Sequence, residues 1–178
     1  MRFAVASLLA LAIATVATPA SAHRCAVGSI EVPPARIDAI LQEPDVNRQI
    51  DLMAGLGNYW MVHCASGRQN ARPAVVREIA RLLAAPETRF LAATMLVDVG
   101  HNLKRVRPDL EVALTDERAR HERALRANFP WVPNHHRLTA LECVERKLLS
   151  GEIDQELCGG VLGARGRDGL PTVEWELQ

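Results

Sequence analysis

The sequence has little lysine, few aromatic residues and no net charge. Its 178 residues include 21 basic and 21 acidic side chains, lysine occurs only at Lys104 and Lys147, and aromatic residues make up 4%. A balanced charge gives no electrostatic footprint for nucleic acid or for an anionic membrane. The arginine-rich stretch 104–126 is interleaved with acidic residues, and Phe129 is the only aromatic residue near it. This pattern indicates a solvated, salt-bridged face and no nucleic-acid partner.

Common catalytic motifs are also missing. The chain contains no HExxH zinc-hydrolase motif, no GxSxG nucleophile motif and no glycine-rich phosphate-binding loop. Their absence favours a non-catalytic protein, and no cofactor is predicted. The preference for arginine over lysine, with abundant alanine, is typical of a GC-rich bacterial genome.

The chain lacks an apolar run long enough to cross a bilayer. The longest run, from Phe3 to Val16, is shorter than the roughly 20 residues that a membrane-spanning helix needs. Arg2 precedes it and Ala20-Ser21-Ala22 follows it, which is the pattern of a removable secretory signal. We therefore predict a signal peptide over 1–22, a mature chain that starts at His23, no membrane insertion, and a periplasmic or extracellular location.

Four cysteines follow the predicted signal, at Cys25, Cys64, Cys143 and Cys158. In an oxidising compartment an even number of cysteines indicates disulfides, and four cysteines allow three pairings. We predict two disulfides and favour Cys143–Cys158 with Cys25–Cys64. Cys143 and Cys158 flank a helix turn at Ser150-Gly151, which would bring two antiparallel segments together.

Apolar periodicity predicts an all-α fold: a single bundle of about six or seven helices in residues 23–158, around a buried central helix over 86–99. Prolines 34, 44, 73 and 86 are predicted to begin helices, because a first-turn proline loses no hydrogen bond. Gly100 is the predicted C-terminal cap of the central helix. The second helix is predicted to bury a stripe formed by Val46, Ile50, Met53, Gly57, Trp60 and Cys64.

The C-terminal half alternates charged and apolar segments. Residues 101–113 are expected to be weakly helical and interrupted by Pro108, and Thr115 to cap a separate charged surface helix. Asn134 is expected to cap a helix with these side chains inward: Leu138, Leu141, Val144 and Leu148. The glycine-rich tail 159–178 ends in a strand pattern over 172–177, whose predicted partner in a short terminal β-pair is the segment 27–32.

Histidines provide the candidate chemistry. His23 at a free N-terminus could chelate Cu(II) through its amine and imidazole, and Asp98 with His101 could form an acid–base pair. His135 and His136 are predicted to lie in a solvated helix turn. His63 and Cys64 are rejected as a catalytic dyad, because adjacent helical residues do not face each other.

Two classes of function follow. The first is a secreted or periplasmic non-catalytic domain that binds an unidentified protein, of the inhibitor, immunity or assembly type. Trp131, between Pro130 and Pro133, and Trp175, on the alternating tail, are its predicted partner-binding residues, because tryptophan is enriched among interface hot spots. The alternative is a metal-binding protein or a hydrolase-type enzyme that uses His23 or the Asp98–His101 pair.

Overall fold

The computed structural model describes residues 30–127 and 135–163, which form eight α-helices. They are α1 Pro34–Leu41, α2 Val46–Met61, α3 Ala65–Gln69, α4 Pro73–Arg81, α5 Pro86–Val97, α6 Arg107–Arg126, α7 His135–Ser150 and α8 Gln155–Gly163. Two 3₁₀ helices, Leu82–Ala84 and His101–Val106, precede α5 and α6. The all-α prediction is confirmed, with eight helices in place of six or seven. The described part contains no strand, and the predicted strand over 172–177 lies outside it.

Helix α5 is the central element, as predicted. Every residue from Ala92 to Val97 is buried, and so are Thr88 and Arg89. The helix packs against α2, α4, α6 and α7. No helix in the described ranges is both long and apolar enough to cross a membrane.

Local signals fix most helix starts. Prolines occupy the first turns of α1, α4 and α5, as predicted. Pro44 does not begin α2. The helix instead starts at Val46 and is capped by Asp45, whose Oδ1 accepts a hydrogen bond of 2.9 Å from the backbone N–H of Arg48.

The predicted stripe of α2 is correct only from Met53 to Trp60, because the helix ends at Met61 and Cys64 is the half-buried N-cap residue of α3. Met53 and Trp60 are buried, but Val46 is 56% exposed and Ile50 is 52% exposed. Gln49 is buried in their place, and its Nε2 donates 2.9 Å to the carbonyl oxygen of Ile40 at the end of α1. The end of α1 therefore determines which side of the first turns of α2 faces inward. The Ile40 carbonyl oxygen there accepts a hydrogen bond from the amide of Gln49, which an aliphatic side chain could not supply.

Helix α6 corrects the prediction for the region around Thr115. It is continuous from Arg107 to Arg126, with Pro108 in its first turn. Thr115 does not cap a new helix, because its Oγ1 donates 2.8 Å to the carbonyl oxygen of Glu111 within α6. The helix is also not confined to the surface, since it buries Leu110, Ala113, Leu114 and Glu117.

Helices α6 and α7 form an antiparallel hairpin. His121 of α6 lies beside His135 at the start of α7, while Leu110 and Leu114 of α6 line a groove with Leu149 near the end of α7, so the two helices run in opposite directions. On α7 Leu138, Leu141 and Val144 are buried as predicted, and Leu148 is half-buried against the core.

A disulfide between Cys143 and Cys158 fastens α8 to α7, with the Cα atoms 5.4 Å apart. This predicted pairing is confirmed. No cysteine in residues 30–127 and 135–163 has a free thiol. Cys25 lies outside the described residues, so its pairing with Cys64 stays a prediction. Helix α8 continues to Gly163, beyond the predicted end of the helical domain at Cys158.

Gly100 is needed for close approach rather than as a left-handed cap. Its φ of −87° lies outside the left-handed region. Its N–H donates 2.9 Å to the carbonyl oxygen of Gln69, and a Cβ at this position would lie only 2.8 Å from that same oxygen. Gly100 thus lets the chain after α5 contact the end of α3.

Gly100→Ala is expected to lower the free energy of unfolding by about 1–3 kcal/mol, because the added methyl group displaces the Gln69 backbone. Urea unfolding followed by circular dichroism measures the change. Gly67→Ala is the matched control: an alanine Cβ there would have no atom within 4 Å apart from the neighbouring residues and the backbone of its own helix, and alanine favours the helix by up to about 1 kcal/mol. Equal effects of the two substitutions would contradict the close-approach assignment.

Candidate functional site

A buried ionic cluster lies near the N-terminal end of α5. Arg89 donates from one terminal nitrogen to Asp116 at 2.6 Å and to Glu117 at 2.8 Å. Its Nε donates 2.8 Å to the carbonyl oxygen of Leu83. Glu117 is fully buried and also accepts 3.2 Å from Nε of Arg137. Arg120 also donates 2.9 Å to Asp116, so three guanidinium groups face two carboxylates where α5 meets the hairpin.

The electrostatics of this cluster favour the charged form of Asp116. Hydrogen bonds from Arg89 and then Arg120 hold the pKa of Asp116 below its ordinary value. Arg89 also fills donor positions with backbone carbonyls, which matches a group that holds helices together. This cluster is not predicted from the sequence, because apolar periodicity takes no account of Arg89 at the start of the central helix. An arginine in an otherwise apolar central helix is a usable signal, since buried charges require partners.

A second polar cluster surrounds Asp98 at the C-terminal end of α5. Its Oδ2 accepts 3.1 Å from Nε1 of the fully buried Trp60, and Nε of Arg68 lies 3.1 Å from the same oxygen. His101 is exposed, and its Nε2 lies 3.3 Å from Nδ2 of Asn102. The fold therefore brings Asp98 to an indole and a guanidinium, while the His101 ring lies beside an amide.

Lys147 of α7 completes this second cluster. Its Nζ donates to the carbonyl oxygen of Val97, the last residue of α5. Burial lowers the pKa of Lys147 from its ordinary value, and the Asp98 carboxylate opposes that change. Cationic groups from α3 and α7 thus meet the C-terminal end of α5, where the helix dipole favours positive charge.

Three histidines meet at the closed end of the α6–α7 hairpin. The ring centroids of His121 and His135 are 6.1 Å apart, and those of His135 and His136 are 5.9 Å apart. His135 and His136 are exposed, as predicted, whereas His121 is half-buried and its association with them is not predicted from the sequence. Within the described ranges, no three His, Cys, Asp or Glu side chains are already arranged to hold a metal ion.

A shallow groove lies at the open end of the same hairpin. Leucines from both helices give it an apolar lining, with charged side chains beside them: Arg107, Leu110, Glu111, Leu114, Glu145, Leu148 and Leu149. Leu149 is 69% exposed. The hairpin therefore offers a polar site at its closed end and a mainly apolar one at its open end.

Several predicted site residues lie outside the described part of the chain. They are His23, Cys25, Trp131 and Trp175, together with the helix cap Asn134. His63 lies within it, and its Nδ1 is 2.8 Å from the carbonyl oxygen of Tyr59. Cys64 carries no free thiol, so no thiol nucleophile lies beside His63, but the two residues lie between α2 and α3 and not on one helix as predicted.

Comparison of the chain with protein-family models, with curated proteins and with solved structures finds no match.

Proposed function

We propose that this chain is a secreted or periplasmic, non-catalytic domain that binds another protein, of the inhibitor, immunity or assembly type. The observation that carries the proposal is the groove between α6 and α7. Leu149 projects largely into solvent beside the leucines of this groove. An exposed leucine next to an apolar groove is a feature that protein interfaces use, because burying it removes apolar surface from water.

The proposed occupant is an amphipathic helix of the partner protein. Two antiparallel helices leave a channel along their axes, into which the side-chain ridge of a third helix fits. The leucines of the groove would contact an apolar stripe on the partner helix. Glu145 already pairs with Arg118, so the partner helix should carry a basic residue placed beside that stripe to meet Glu111.

The secretory location is proposed on two grounds. The N-terminal pattern over 1–22 is that of a signal peptide. The Cys143–Cys158 disulfide is compatible with an oxidising compartment. The proposed mature form starts at His23 and contains a second disulfide, Cys25–Cys64, which peptide mapping without reduction would detect as one linked pair.

Site-specific crosslinking tests the partner-binding proposal. A photoreactive amino acid at position 149 should crosslink one protein of the secretory compartment, whereas the same amino acid at Val62, which is 74% exposed, should not. The partner is then purified and its affinity measured by calorimetry. Leu149→Asp is expected to weaken binding at least tenfold, because an aspartate cannot enter an apolar channel without losing hydration.

Val62→Asp is the matched control and should change the affinity less than twofold. Trp131→Ala and Trp175→Ala test the two proposed tryptophan contacts, and each should weaken the same complex. Equal affinities of Leu149→Asp, Val62→Asp and the unmodified protein, all folded by circular dichroism, would contradict binding through the groove.

A further inference from the structure

We propose that His121 and His135 form a binding site for a divalent transition-metal ion at the closed end of the α6–α7 hairpin, with water completing the coordination. The ligand class is a first-row ion that accepts neutral imidazole, such as Zn(II), Ni(II) or Cu(II). This site differs from the sequence-based metal candidates, which involve His23 or the Asp98–His101 pair.

The geometry of the rings is close to that of a shared metal. Two imidazoles that bind one ion at about 2 Å in tetrahedral geometry have ring centroids about 5 Å apart. The observed separation of 6.1 Å between the rings of His121 and His135 exceeds this distance by about 1 Å. His135 is exposed, so its ring can turn toward His121 without disturbing the core. The site therefore closes when the ion binds.

The ring of His121 supplies an independent reason for a ligand. Its Nδ1 is buried and has no hydrogen-bond partner among the residues that the structure describes. A buried polar atom without a partner costs about 1–3 kcal/mol, and native structures rarely leave one without a reason. A metal ion coordinated at this nitrogen would supply the missing partner.

The proposed ligands are imidazoles rather than carboxylates, because the nearby carboxylates already form ion pairs. Glu117 lies one turn before His121 on α6, but Arg89 and Arg137 already bind its carboxylate. Glu122 follows His121 and pairs with Arg126 at 3.1 Å. The histidines are the donors at this end of the hairpin that do not have to break an ion pair to reach a metal.

The spacing of the histidines along the sequence does not predict this site, because its ligands come from two antiparallel helices. His121 is fourteen residues before His135, and neither forms an i, i+4 pair with another histidine. The hairpin brings donors from two helices together, so the ion would tie α6 to α7. Metal that binds only the folded state raises its stability by mass action.

The test uses the mature full-length chain and Zn(II) or Ni(II) alone. Calorimetry at pH 7.5 should give one ion per chain at this site, and the melting temperature should rise with metal concentration. His121→Ala and His135→Ala should each weaken binding at least tenfold and remove the metal-dependent rise. Binding should also weaken at pH 5.5, because protons compete for imidazole nitrogen.

Control variants keep the sites separate. His63→Ala and His101→Ala should retain the affinity of the parent protein, and His23→Ala should remove only binding at the N-terminus. His121→Asn provides a second variant at the half-buried position, with circular dichroism as the check of folding. Unchanged binding in the His121→Ala/His135→Ala double variant, or complete loss of binding in His23→Ala or His101→Ala, would overturn the proposal.

Discussion

Leu96→Asp is expected to leave most of the protein unfolded at room temperature. Leu96 is fully buried in α5, the helix that packs against α2, α4, α6 and α7. The substitution introduces a carboxylate without a partner, which costs several kcal/mol, and it removes leucine contacts worth about 2–5 kcal/mol. A domain of this size has only about 5–15 kcal/mol of stability to lose. Near-ultraviolet circular dichroism and urea unfolding measure the loss.

Leu149→Asp is the matched control for this prediction, because it makes the same chemical change at a leucine that is 69% exposed. Its free energy of unfolding should stay within about 0.5 kcal/mol of the parent value. If Leu96→Asp melted within a degree or two of the parent protein, the central position of α5 would be wrong.

Arg89→Met is expected to lower the free energy of unfolding by about 3–5 kcal/mol. Methionine replaces the apolar stem of Arg89 with a chain of similar length, but it lacks the guanidinium that donates to Asp116 and Glu117. Glu117 then remains fully buried, with Arg137 as a more distant partner at 3.2 Å. The large cost arises from the carboxylate left behind rather than from the strength of one ion pair. Urea unfolding avoids the ionic screening that guanidinium chloride would add.

Arg126→Met provides the comparison on the same hairpin. Arg126 pairs with Glu122 at 3.1 Å, and its side chain is 79% exposed. An exposed pair spaced i, i+4 contributes at most about 0.5 kcal/mol. The double variant Arg89→Met/Glu117→Met should recover part of the stability that Arg89→Met loses, because it removes the buried carboxylate as well. A loss below 1 kcal/mol for Arg89→Met would show that Arg137 alone suffices to hold Glu117 in the core.

The helical class and the main core positions can be read from the sequence because they depend on local rules. A proline fits the first turn of α1, α4 and α5, and continuous apolar composition correctly identifies α5 as central. The errors arise where a distant group decides the outcome. Gln49 is buried because the end of α1 offers it the Ile40 carbonyl, and no periodicity in α2 contains that information.

Helix α6 shows the same limit at Pro108 and Thr115. Proline both breaks and begins helices, and threonine both caps them and bonds back to the preceding turn. The sequence pattern favours a helix break at Pro108 and a new helix cap at Thr115. In the structure the residues before and after Thr115 form one helix, which packs against α7 and α5. Leu110 and Leu114, before the predicted helix boundary at Thr115, share a buried face of α6 with Glu117, which follows that boundary.

The candidate sites are less predictable than the fold, since each one combines separate elements. Asp98 meets Trp60 and Arg68 from α2 and α3, although the sequence suggests His101 by spacing alone. His121 joins His135 only because the hairpin reverses the chain. Spacing within one helix predicts neighbours on that helix and gives no information about neighbours across a turn.

The two polar clusters along α5 have a consequence for the axial position of that helix. Arg89 and Asp98 lie nine residues apart, which is about 14 Å along the axis. A slide of one turn, about 5.4 Å, would move Arg89 away from Glu117 and Asp98 away from Trp60 in the same step. Small apolar residues such as Ala92 and Ala93 would tolerate such a slide far better than these charges. The two clusters therefore fix the axial position of α5, because only one alignment of the helix between α2 and the hairpin keeps both sets of contacts.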